Sequence, residues 1–169
     1  MEIRSVKAIV KSLNDAQVQY LIVGGVAVVA HGYERLTKDL DLVISLEREN
    51  IVRGLRALMA IGYQMRIPVT PEQFADPELR EQWRREKHMV VLPLWSDLHR
   101  RTPVDVFVYE PFDFAKEWKR ALRLPVFGNE LAAIVGYSAL LKLKESAGRR
   151  QDLADVEKLR KLDPRRKKP

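Results

Sequence analysis

Lys38-Asp39-Leu40-Asp41-Leu42 is the most informative segment of this chain. In an extended strand alternate side chains share a face, so the two aspartates are expected on one side and the two leucines in the core. Two carboxylates on one face repel each other unless a cation lies between them or one of them is protonated. Mg²⁺ suits such a site because it prefers hard oxygen ligands together with phosphates. Taken alone, an Asp-x-Asp pair is also typical of a solvated strand edge.

A glycine pair, Gly24-Gly25, precedes this segment and ends the apolar run that begins at Tyr20. The pattern predicts a buried strand over 20–23, a tight turn and a short helix over 26–31. Free main-chain N–H groups at the start of a helix attract phosphate oxygens, and glycine permits a close approach because it lacks a Cβ. The pair therefore predicts a phosphate site, while Gly-Gly turns are also common without any ligand.

A third carboxylate, Asp105, lies inside the apolar run over 104–108. An aspartate within such a strand is costly unless it is paired or binds a ligand. If this strand lies beside that of Asp41, three carboxylates gather at one place. Three carboxylates can hold two Mg²⁺ ions about 3.5–4 Å apart, the arrangement used for in-line displacement at phosphorus.

These residues together resemble the polymerase-β-like nucleotidyltransferase superfamily, whose pattern is a glycine turn, an acidic pair on a strand and a third acid downstream. The segment from Lys142 to Val156, with Gly148-Arg149 in its middle, is similar to that of small bacterial members near the abortive-infection toxin type. The resemblance implies an α+β fold with a nucleotidyltransferase-like mixed β-sheet, flanking helices and a helical C-terminal region.

The resemblance also implies a chemistry, the Mg²⁺-dependent transfer of a nucleoside monophosphate from an NTP to an unidentified hydroxyl acceptor. Asp39 and Asp41 would bind the metal that holds the triphosphate, and Asp105 would bind a second metal or act as a base. The residues that would bind the NTP are Gly24, Gly25, Arg35, Thr37 and Lys142. The acceptor could be RNA, a protein or a small molecule.

Each basic or acidic residue near this pattern also has a purely structural interpretation. Arg35 is equally suited to a salt bridge with nearby acids. Lys142 and Lys144 lie two apart on a predicted helix and cannot share a face, so one of them could reach the triphosphate, while a solvated helix face is the structural alternative. Asp152 and Asp155 lie at the start of the last predicted helix, where acids favour the helix dipole. We therefore interpret these two aspartates as acids that stabilise the helix end.

Val26 and Ala27 depart from the family pattern, because many members carry a serine or threonine there whose hydroxyl contacts phosphate. The departure supports an alternative function, a catalytically weak toxin–antitoxin component or a nucleic-acid-binding module on the same fold.

The apolar pattern predicts how the chain is organised. We expect a nucleotidyltransferase-like core over 1–128, whose last strand runs from Arg123 to Phe127 and ends at Gly128. A C-terminal helical region over 129–163 follows and opens with a short helix over 131–135. A basic tail over 164–169 completes the chain and carries Arg165-Arg166-Lys167-Lys168. Such a run is either a solvated tail or a contact for nucleic acid.

Composition limits the class of protein. The chain has 169 residues, 46% of them hydrophobic, and a net charge of +7 that comes mostly from residue 144 onward. It has no cysteine, which excludes disulfides and thiolate metal sites. The first residues lack the apolar stretch of a secretory signal, and no run reaches the length of a membrane span. We expect a cytoplasmic protein with no membrane partner.

Overall fold

The apolar runs of the chain form the strands of one mixed sheet. The computed structural model describes residues 1–125 and 130–162. The strands are β1 (Tyr20–Ile22), β2 (Leu40–Ile44), β3 (Gln64–Met65), β4 (Val91–Trp95), β5 (Val104–Phe107), β6 (Leu122–Pro125) and β7 (Leu131–Ile134). The helices are α1 (Ile3–Asp15), α2 (Gly24–Ala30), α3 (Arg48–Ala60), α4 (Pro71–Phe74), α5 (Pro77–Lys87), α6 (Phe114–Arg120), α7 (Tyr137–Ala147) and α8 (Arg150–Leu162).

The sheet has seven strands in the order β3-β4-β5-β2-β1-β7-β6. Strand β2 pairs antiparallel with β1 and parallel with β5, and β1 pairs parallel with β7. The outer pairs, β3 with β4, β4 with β5 and β6 with β7, are antiparallel. A mixed sheet flanked by helices confirms the predicted α+β class.

The register between β2 and β5 fixes the relation of the two strands that carry acids. Leu40 lies opposite Val104, Asp41 opposite Asp105 and Leu42 opposite Val106. The four apolar members of these pairs are fully buried. Because side chains alternate along a strand, burying the apolar members directs both aspartates to the other face.

Strand β7 corrects the prediction of a short helix over 131–135. Ile134 lies opposite Ile22 of β1, and the N–H of Val135 donates to the carbonyl of Ile22 at 3.0 Å. Leu131 lies opposite Pro125 of β6, so β7 is paired on both sides. The central strands leave main-chain groups that this segment satisfies, and sheet pairing therefore prevails over local helical preference. The strands thus do not end near Phe127, and the helical region begins at Tyr137.

Two parts of the predicted organisation lie outside the described residues. The end of the predicted strand at Phe127, with the stop at Gly128, falls within 126–129, and the basic tail over 164–169 falls beyond 162. The described residues contain no helix that is both long and apolar enough to cross a membrane.

The helices pack against the sheet and against one another. Helix α1 packs against α3, and both α2 and α3 contact β2. Helix α2 also contacts α7, which in turn packs against α8. The C-terminal helices therefore lie near the start of α2, where the glycine pair is found.

Candidate functional site

Gly24 is held against the carboxylate of Asp41. Its φ of +60° lies in the left-handed region, and a Cβ added there would stand 1.8 Å from Asp41 Oδ2. Only glycine allows both the backbone conformation and this approach. The N–H of Val23 donates to the carbonyl of Asp41 at 3.0 Å, which ties the turn to β2. The glycine turn and the acidic strand therefore form one unit.

Gly25 is enclosed by the segment between α2 and β2. A Cβ added at Gly25 would stand 2.4 Å from Thr37 Oγ1 and 2.8 Å from Arg35 Nη2. A threonine hydroxyl and a guanidinium thus line the main chain at the start of α2. All three residues border the cavity described below.

The three predicted acids differ in their surroundings. Asp41 and Asp105 are half-buried neighbours across the β2–β5 pair, whereas Asp39 is exposed one residue before β2. Burial, followed by repulsion from Asp105 and Asp39, raises the pKa of Asp41 to about 6, and the Gly25 main chain and Lys144 oppose this rise. Burial and the charge of Asp39 also raise the pKa of Asp105, against the opposing influence of Arg66 and Arg149.

None of these three carboxylates forms an ion pair with a cation in residues 1–125 or 130–162. Desolvation and mutual repulsion without a partner favour either a proton or a bound cation. Positive charge bound at this site would therefore stabilise the folded protein.

The three acids suit Mg²⁺ only where substrate phosphates supply some of its ligands. Within the described part of the chain, no three carboxylate or histidine groups stand close enough to hold a metal by themselves. Mg²⁺, however, is commonly held by one or two carboxylates together with substrate phosphates and water. Asp39 and Asp41, beside the glycine turn, fit that mode, and Asp105 lies next to Asp41.

A buried cluster of charges lies beside the glycine pair. Asp155 is fully buried, and its Oδ2 is 2.7 Å from Lys144 Nζ while its Oδ1 is 3.1 Å from Arg35 Nε. Lys144 Nζ also donates to Asp152 Oδ1 at 2.9 Å, and Gln151 Nε2 donates to Asp155 Oδ1 at 3.0 Å. The two contacts of Asp155 with Arg35 and Lys144 are close ion pairs without hydrogen-bond geometry.

This cluster corrects the interpretation of Asp155 as an acid at a helix end. Asp155 is the sixth residue of α8, beyond the first turn, and its carboxylate is matched by two cations. Asp152 does lie in the first turn, yet it too is paired with Lys144. Of the two interpretations of Arg35, the structure contains the salt bridge, which occupies only its Nε.

A cavity of about 660 Å³ joins these features. Its walls include the predicted residues Gly24, Gly25, Arg35, Thr37, Asp39, Asp41 and Asp105. Lys144 and Arg149 also line it from the C-terminal side. Lys142 is the one predicted binding residue that lies elsewhere, in a neighbouring cavity of about 570 Å³ between α6 and α7.

Lys144 and Asp155 are absent from the predicted set of site residues, because that set includes Lys142 rather than Lys144 and assigns Asp155 to a helix end. Both fall on apolar stripes: Lys144 is four residues after the buried Leu140, and Asp155 is four residues before the buried Leu159. A charged residue in register with a buried stripe must be paired or functional. That spacing could have identified both.

Comparison with known proteins supports the fold alone. No protein-family profile matches the chain, and no curated protein is detectably similar in sequence. Among solved structures, the crystal structure of an antigenic nucleotidyltransferase-like protein from Paracoccidioides brasiliensis is similar, with a TM-score of 0.54 and 17% identity. The similarity covers 94% of this chain and 75% of the other. The chain therefore has a nucleotidyltransferase-like fold.

Proposed function

We propose that the protein is a nucleotidyltransferase that moves a nucleoside monophosphate from an NTP to a hydroxyl acceptor, with Mg²⁺. The observation that carries this proposal is the in-register pair Asp41 and Asp105 beside Gly24, in a cavity lined on its other side by cations. The nucleotidyltransferase-like fold supports the general reaction. The toxin type, the hydroxyl acceptor and a second Mg²⁺ stay predictions from the resemblance.

The binding step follows from the residues around the glycine pair. In this proposal the main chain at Gly24 and Gly25, the Thr37 hydroxyl and the Arg35 guanidinium face the triphosphate. Asp39 and Asp41 would hold Mg²⁺ at the phosphates, and the ion would neutralise part of the phosphate charge. Lys142 is left out of this set because it lines the neighbouring cavity.

The chemical step needs no nucleophilic side chain. The acceptor oxygen forms a bond to the α-phosphorus, the bond from that phosphorus to the bridging oxygen of the β-phosphate breaks, and pyrophosphate leaves with that electron pair. The proton of the acceptor hydroxyl passes to Asp105. Asp105 lies opposite Asp41 and lines the same cavity, which supports this role.

The first test measures transfer of a labelled nucleoside monophosphate to an acceptor. The purified protein is incubated with Mg²⁺, each of the four α-labelled NTPs in turn, and cellular RNA or protein. We expect label on an acceptor with the wild type and none with Asp39→Asn. Asp105→Asn should keep NTP binding and lose about 100-fold or more in transfer rate. Folded wild-type protein that labels nothing with any NTP would contradict the proposal.

A binding module with weak turnover is the second candidate, and one observation favours it. Ala27 is buried in the core and Val26 is a half-buried aliphatic residue, so no hydroxyl follows the glycine pair. In this case salt-dependent RNA binding should persist in Asp39→Asn and require the basic residues 165–168. Loss of RNA binding in the acid variant would oppose the module.

A further inference from the structure

Arg35 presents an unused donor to the glycine turn. Its Nε faces Asp155 Oδ1 at 3.1 Å, and its Nη1 donates to the carbonyl of Leu36 at 3.0 Å. Its Nη2 makes no hydrogen bond within residues 1–125 and 130–162, although a Cβ on Gly25 would lie 2.8 Å away from it. The guanidinium is therefore held by one ion pair and one hydrogen bond, and its third nitrogen lies beside Gly25 in a residue that lines the cavity.

The fixing group is the buried carboxylate of Asp155. The Arg35 side chain is 20% exposed and that of Asp155 is 0% exposed. Lys144 contacts the other oxygen of the same carboxylate and also pairs with Asp152. Two cations and two anions thus form a neutral cluster, which limits the cost of burying the charges. Asp155 holds Arg35 without occupying the nitrogen that faces the turn.

The free Arg35 nitrogen lies beside Gly25, directly before the two positions, 26 and 27, where this chain lacks the hydroxyl residue of the family pattern. A serine or threonine hydroxyl after the glycine pair would be the expected donor to phosphate, and this chain has none. Arginine presents several N–H donors in a fixed plane that matches phosphate oxygens. A guanidinium held beside Gly25, next to the Thr37 hydroxyl, supplies such donors.

We propose that Asp155 is a positioning residue that orients Arg35 so that its Nη2 binds the triphosphate at the glycine turn, where residues 26 and 27 offer no hydroxyl. The inference rests on the proposed function, because it assigns the donor for the same triphosphate. It also couples the C-terminal helix α8 to the glycine turn, since Asp155 lies on α8 and Arg35 lies between α2 and β2.

The test is a double-mutant cycle on affinity, measured by calorimetry with Mg²⁺–ATP and with Mg²⁺–tripolyphosphate as probes. Asp155→Asn and Arg35→Lys should each weaken both probes about tenfold or more, the loss expected for one charge-assisted hydrogen bond. The double variant should lose no more than either single variant, because both act through one contact. The Arg35→Lys variant should therefore bind both probes as weakly as the double variant does.

Matched variants separate positioning from general damage to the helices. Glu145→Gln removes an exposed ion pair with Arg160 that also joins α7 to α8, and it should leave both affinities unchanged. If Asp155→Asn does not fold, Asp155→Glu replaces it, because the longer side chain keeps the charge and displaces the guanidinium. Additive losses in the double variant, or wild-type affinity in a folded Asp155 variant, would overturn the inference.

The outcomes also separate this inference from the proposed function. A wild type that binds both probes with the expected coupling but transfers no label supports the positioning role and refutes the transferase. A wild type that transfers label while the cycle is additive supports the transferase and refutes the positioning role. A wild type that binds neither probe refutes both.

Discussion

Asp41→Asn should stabilise the metal-free protein while it removes metal-dependent binding. Burial and the neighbouring acids raise the pKa of Asp41 from 3.8 to about 6. A difference of about two units corresponds to about 3 kcal/mol, the upper limit of what the ionised carboxylate costs the folded state near neutral pH. Asparagine is uncharged and can still accept from the Gly25 N–H. We therefore expect a gain of about 1–3 kcal/mol, or about 3–10 °C in Tm.

The pH dependence of this gain has a definite sign. Below 3.8 the carboxyl is protonated in both folded and unfolded chains, so the variant and the wild type should be equally stable. As the pH rises from there to about 6, the unfolded chain loses the proton first, and the wild type loses stability relative to the variant. Above that range the difference should stay constant.

The assay is thermal unfolding followed by circular dichroism in a chelating buffer, from about pH 3.5 to about pH 8, chosen to span both pKa values. Asp39→Asn is the matched comparison, since Asp39 is exposed and should change stability by no more than about 0.5 kcal/mol. An Asp41→Asn protein that is folded and no more stable than the wild type at neutral pH would refute the reasoning.

Three further predictions follow from the same geometry. Adding Mg²⁺ and ATP at about 100 times the Kd should stabilise the wild type by about 2.7 kcal/mol in thermal unfolding, and no such shift should occur in Asp41→Asn. Gly24→Ala should lower the free energy of unfolding by more than about 2 kcal/mol, since it adds a clash with Asp41 to backbone strain. Gly32 has a φ of +97° with open space around it, so Gly32→Ala should show the effect of backbone strain alone. Ile134→Ala should cost about 2–4 kcal/mol by urea unfolding, because Ile134 is buried in a strand that is paired on both sides; a loss below about 1 kcal/mol would contradict that placement.

The face of the sheet on which the acids lie could be predicted, because strand periodicity is a local property of the sequence. Alternation over 38–42 and 104–108 identified which residues oppose the core, and two such strands satisfy their apolar faces best as neighbours. The helix predicted over 131–135 failed because its residues are apolar without alternation, and one of its two strand partners is β1, more than 100 residues earlier in the chain. A run buried on both faces carries no period that distinguishes a strand from a helix.

The sequence by itself determined the glycine turn, the acidic strand and the third acid, because each depends on the conformational range or charge of a few adjacent residues. Only the tertiary structure decided which lysine of α7 faces the cavity and which acid holds Arg35. Both depend on how α7 and α8 rotate against the sheet, and that rotation is set by long-range packing of buried side chains such as Leu140 and Leu159. A buried charge is stable only where a partner from another element meets it, and that meeting is a property of the folded chain.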